Sequence, residues 1–74
     1  MEGLHPLKAF RIQRSLSLAD SARMLDVPKS LLWRWEERKR PVGRESLRKV
    51  SERTGIPAAE LRPDLAELFS GDAQ

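Results

Sequence analysis

Between residues 29 and 44 the chain carries six cations, Lys29, Arg34, Arg38, Lys39, Arg40 and Arg44, against two carboxylates, Glu36 and Glu37, a local net charge of +4 in a protein of 74 residues with +3 overall. Guanidinium and ammonium groups at this density pair with anionic oxygens, and a well-held arginine can also donate two hydrogen bonds to guanine O6 and N7. Residues 60–74 reverse the sign, with Glu60, Asp64, Glu67 and Asp72 against Arg62, a net of −3. A basic centre with an acidic end fits a domain that lays one face on a polyanion and keeps its end away from it. Catalysis has no such support. The carboxylates are scattered over helix surfaces, and serine, histidine and aspartate show no spacing that a triad requires. His5 stands alone near the terminus and reads as a surface or capping residue, so no metal follows from it. The chain has no cysteine, which excludes disulfides and Cys-based zinc sites, and no cofactor is expected.

The elements that must position these cations are helices. Leu18, Ala19, Ala22 and Leu25 recur at helical spacing, and Val27, Leu32 and Trp35 then begin a second, offset pattern, so two short helices meet at an angle. Ser17 suits an N-cap, with Asp20 three residues on, close to a capping box. Asp26 is among the few non-glycine residues that tolerate a left-handed turn, and Pro28 suits the start of a helix, which places the turn at Asp26 and Val27. This is a helix-turn-helix, the layout of a helix that reads DNA. With Leu32 and Trp35 turned inward, Lys29, Ser30, Trp33 and Arg34 remain on the groove-facing side, with Leu31 at its edge. Ser17, at a helix N-terminus, is a candidate for holding a phosphate. Trp33 admits three readings: a ring that extends the core, an apolar contact with a thymine methyl or sugar edge, or a protein interface.

Around this pair the spacing predicts a first helix from about residue 5 or 6 to 14, with Leu7, Phe10, Ile12 and the stem of Arg11 inward. Helices at about 18–25 and 29–37 follow, then a loop over residues 38–43, where Pro41 and Gly43 interrupt the pattern. A fourth helix is expected at about 44–53, with Leu47 and Val50 inward and Gly55 as a left-handed cap. Pro57 opens a short helix carrying Leu61, and Pro63 restarts the chain for a last turn or two with Leu65, Leu68 and Phe69. Residues 70–74 read as a frayed tail. No strand signal, repeat or membrane-length apolar run is present, so the class is all-α.

Residues 17–36 resemble the helix-turn-helix of the Xre (Cro/CI) family of bacterial and phage regulators. Ala22 and the pair Trp35-Glu36 match the family pattern, while Asp26 stands where glycine is usual. The likeness extends to Arg11-Ile12, to residues 47–55, and to the LRPDL run at 61–65, which is similar to the ends of short Cro-like and YdaS-type antitoxin regulators. The resemblance implies a five-helix, lambda-repressor-like DNA-binding domain and a partly buried ion pair between Arg11 and Glu36. It also implies base contacts from Lys29, Ser30 and Arg34, and phosphate contacts from Arg38, Lys39, Arg40 and Arg44.

At 74 residues a single domain with a modest core is expected, without room for a sensor domain, cytosolic and in contact with the nucleoid. One recognition helix covers few base pairs, so a homodimer on an inverted repeat is expected. Leu61, Leu65, Leu68 and Phe69, spaced i, i+4, i+7, i+8, suit either the dimer surface or closure of the core. The resulting expectation is a sequence-specific, double-stranded DNA-binding regulator, a repressor without a small-molecule ligand. The alternative is an antitoxin or adaptor whose main partner is a protein.

Overall fold

His5 turns the chain into its first helix: its side-chain Nδ1 accepts the Leu7 N–H at 3.1 Å, and Pro6 supplies a pre-set φ at the first position. The structure, a computed structural model, describes residues 3–65. Among these lie five α-helices, α1 (Pro6–Gln13), α2 (Leu18–Leu25), α3 (Lys29–Glu36), α4 (Arg44–Thr54) and α5 (Ala58–Leu61), then a 3₁₀ turn, Pro63–Leu65, and no strand. The all-α expectation holds. The chain divides into two compact units, one ending at Pro41 and the other beginning at Val42.

In the first unit α3 packs against α2 and, less extensively, against α1. Leu7, Ala22, Leu25, Leu32 and Trp35 are buried. Ser17 caps α2, its Oγ accepting the Asp20 N–H at 3.0 Å. Ile12 departs from expectation: it is 41% exposed. It follows Leu7 by five residues, about 140° round the helix, whereas Arg11 follows by four and stays on the inward stripe.

The three helices of this unit end alike. Ser15, Asp26 and Arg38 each adopt a left-handed backbone, with φ of 56°, 57° and 59°. After α1, Ser15 N–H bonds to the Ile12 carbonyl at 3.0 Å and Leu16 N–H to the Arg11 carbonyl at 2.8 Å. After α2 the same pair of bonds joins Asp26 to Arg23 and Val27 to Ala22 at 3.1 and 3.0 Å. After α3 it joins Arg38 to Trp35 and Lys39 to Arg34 at 3.1 and 2.9 Å. These are Schellman endings, which satisfy carbonyls the helix leaves open and most often carry glycine at the left-handed position.

In the second unit Leu47, Val50 and Thr54 on α4, Leu61 on α5, and Val42 are buried. Gly55 ends α4 with φ of 77°. Thr54 Oγ1 donates to the Val50 carbonyl at 2.8 Å and accepts the Ile56 N–H at 3.1 Å, and Ser51 Oγ donates to the Ile56 carbonyl at 2.6 Å, fixing the turn into α5. Arg62 Nη1 donates to the Val42 carbonyl at 2.6 Å while its Nη2 meets Asp64 at 2.7 Å. That arginine holds the Asp64 carboxyl below its ordinary range. Leu61 is spent on the core of its own unit and Leu65 is half-buried, whereas Leu68 and Phe69 lie outside the described residues.

Candidate nucleic-acid interface

The inward side of α3 is set by Leu32, Trp35 and Glu36, all buried, at spacing i, i+3, i+4. Lys29, Ser30, Trp33 and Arg34 are all exposed and lie on the remaining arc, about 140° wide, with Leu31 half-buried at its edge. Burying a carboxylate such as Glu36 is costly without a partner, and the partner comes from α1. Arg11 Nε donates to both Glu36 oxygens, at 3.0 and 2.8 Å, and Arg11 Nη1 lies 3.5 Å from the Leu16 carbonyl. The Glu36 side chain is 1% exposed and that of Arg11 20%. One turn earlier on α1, Lys8 Nζ stands 3.4 Å from Glu37. Both carboxylates of the basic segment are thus engaged by α1, and the outward arc of α3 keeps its cations. Among the described residues neither Lys29, Arg34 nor Arg40 has a carboxylate partner.

Residues 38–40 continue the positive surface. Arg38 Nη2 reaches back to the Gly3 carbonyl at 3.4 Å. Its charge, after burial, is the second reason that the His5 imidazole is held down to about pKa 4. Lys39 Nζ lies 5.8 Å from the centroid of the Trp33 ring, and Arg40 N–H bonds to the Arg34 carbonyl at 3.3 Å. Ser17 is exposed at the start of α2, where Asp20 in the first turn is paired with Arg23 at 2.8 Å. Arg44 belongs to the second unit, exposed at the first position of α4.

The structure therefore brings Lys29, Ser30, Trp33, Arg34, Arg38, Lys39 and Arg40 together on one unit, and ties Arg11 to Glu36. Sequence reasoning missed the burial of His5, the Lys8–Glu37 pair and the Lys39–Trp33 contact. A side chain six residues from Trp33 would point away from it on a continuous helix, and residue type at Arg38 gives no sign that the chain turns back there. Among the described residues no group of histidine, aspartate and glutamate could hold a metal ion, and no helix is long and apolar enough to cross a membrane.

An exposed helix face bearing lysine, serine and arginine, with cations at its C-terminal end, can insert into a major groove and donate to base edges and phosphates. A family model described as helix-turn-helix matches residues 7–61, which includes all of α1 to α5 except Pro6. No curated protein and no solved structure matches the chain. The match spans well over half of the sequence and centres on the pair α2 and α3, so the chain belongs to the helix-turn-helix family of Xre (Cro/CI) type, whose members are DNA-binding transcriptional regulators.

Proposed function

We propose that the chain is a sequence-specific repressor that binds an inverted-repeat operator as a homodimer, reading bases with Lys29, Ser30 and Arg34 from a helix face that also carries Trp33. The observation that carries this reading is the outward arc of α3, where Lys29 and Arg34 are exposed without carboxylate partners among the described residues while Leu32, Trp35 and Glu36 anchor the opposite side. Arg34 is the main specificity residue, donating to guanine, and Lys29 reaches guanine or a phosphate. Arg38, Lys39 and Arg40 grip the backbone in the same unit; Ser17 and Arg44 are further phosphate ligands. Leu65, Leu68 and Phe69, the larger apolar residues after Leu61, serve the dimer, and recognition helices about 34 Å apart meet successive major grooves.

Selection of bound duplexes from a random pool tests the proposal: an enriched inverted repeat, occupied by two copies in sedimentation, is expected. On the selected site Arg34→Ala should cost about 1–3 kcal/mol and relax preference at one base pair, whereas Arg40→Ala should weaken all sequences alike and flatten the salt dependence. A second reading draws on Trp33, 43% exposed, with half-buried Leu31 at the edge of the same helix face, as a surface for a protein partner of an antitoxin or adaptor. Absence of any enriched sequence would favour it and sink the repressor.

A further inference from the structure

The chain folds back at the end of α3 and sets a cation over an exposed aromatic face. In a Schellman ending the second residue past the cap comes beside the helix residues three and four before it, and an apolar contact usually seals the turn. With Glu37 as the cap those residues are Lys39, Arg34 and Trp33. Two are cations, and the seal is instead the Lys39 ammonium on the Trp33 ring, 5.8 Å from its centroid, inside the range of about 6 Å over which a cation is drawn to an aromatic face. On an uninterrupted helix the two would lie about 120° apart and nearly two turns along the axis. The ring is not consumed by the core: Trp33 is 43% exposed, while Trp35 two residues on is 1% exposed. Glu37, the nearest carboxylate in sequence, is engaged by Lys8 at 3.4 Å. Trp33 thus holds Lys39 without cancelling its charge, which a carboxylate would do.

We propose that Trp33 is a positioning residue for DNA binding, its ring holding the Lys39 ammonium pre-oriented toward a backbone phosphate. This rests on the reading of α3 and residues 38–40 as the DNA-facing surface. A lysine on a flexible four-carbon stem loses rotamer freedom when it grips a phosphate, and part of that loss is already incurred here before the DNA arrives. The ring therefore strengthens a sequence-blind contact, and Trp33 reads no base.

The test uses the full chain and two 20-base-pair duplexes, one of mixed sequence and one A·T-rich, with affinity measured by fluorescence anisotropy across a range of NaCl concentrations. Lys39→Ala should lower the slope of log affinity against log salt by about one. Trp33→Leu, which keeps apolar bulk and loses the π face, should weaken both duplexes two- to fivefold, the magnitude of an exposed cation–π contact, and lower the slope in the same direction. Trp33→Phe should restore most of the binding. In the Lys39→Ala background Trp33→Leu should have no further effect. Helicity by circular dichroism keeps these outcomes separate from misfolding, and the Leu and Phe variants retain the bulk of the site. If Trp33→Leu binds like wild type, or its effect adds fully to that of Lys39→Ala, the positioning role is wrong. A loss confined to the A·T-rich duplex with an unchanged slope would assign the ring to thymine methyls and overturn the proposal equally. If Lys39→Ala and Arg40→Ala both bind like wild type, the DNA-facing reading itself fails and takes this inference with it.

Discussion

Arg11 and Glu36 show how much one side chain can carry. A carboxylate that is 1% exposed is held by two bonds from a single guanidinium nitrogen, so removing either partner leaves the other in a poorly hydrated place. Glu36→Ala should cost about 2–4 kcal/mol, a little below the range for a fully buried pair because Arg11 keeps some access to water. Urea denaturation should show the midpoint falling at unchanged slope. His5 acts through protonation instead. Its Nδ1 must stay unprotonated to accept the Leu7 N–H, and burial with Arg38 nearby lowers its pKa from 6.5 to about 4. The unfolded chain therefore binds the proton more readily across that interval. Stability from this group is complete above about pH 6.5 and declines as pH falls toward 4, by roughly 2–3 kcal/mol at most. His5→Asn keeps a capping oxygen that does not titrate, and thermal melts of the variant should lose the pH dependence between 6.5 and 4 that the wild type shows.

At the scale of the element, the helix ends matter more than the helix middles. Arg38 takes up a left-handed conformation that costs an L-residue about 1–2 kcal/mol, and glycine would remove that cost while adding about 0.5–1 kcal/mol of unfolded-state entropy. Arg38→Gly should therefore stabilise the protein by about 0.5–1 kcal/mol in denaturant titrations, and weaken its affinity for DNA of any sequence. A destabilised variant, or one with unchanged affinity, would remove the reason offered for keeping a cation there. The sequence announces some of these ends and hides others. Ser17, Asp26, Gly55, Pro57 and Pro63 each carry a local preference that places a cap, a left-handed turn or a restart, and all five lie where the spacing puts them. Ser15 and Arg38 carry none, because their conformation follows from hydrogen bonds returning to carbonyls three and five residues back. The burial of His5 was hidden for a related reason: it depends on a cap bond rather than on any apolar character.

For the molecule as a whole, the formal count of +4 over residues 29–44 understates what those residues offer to an anion. Glu36 and Glu37 are engaged by Arg11 and Lys8, cations from outside the segment, so the six basic groups face few carboxylates of their own. The site was legible in the sequence as a face and a charge, since Leu32 and Trp35 fix which side of α3 turns inward. The relation between Trp33 and Lys39 was not, because it exists only after the chain has reversed. The clamp between Arg11 and Glu36 also bears on the order in which the first unit assembles. Its partners are 25 residues apart, whereas α2 and α3 adjoin across a turn, so the helix-turn-helix can form before α1 arrives. A carboxylate enclosed ahead of its guanidinium would be penalised, so α1 is expected to dock late, as the following variant tests. Glu36→Ala should accordingly speed unfolding by roughly 30- to 900-fold in stopped-flow measurements, the whole of its stability loss, while leaving the refolding rate nearly untouched, so this ion pair acts as a latch on the finished fold.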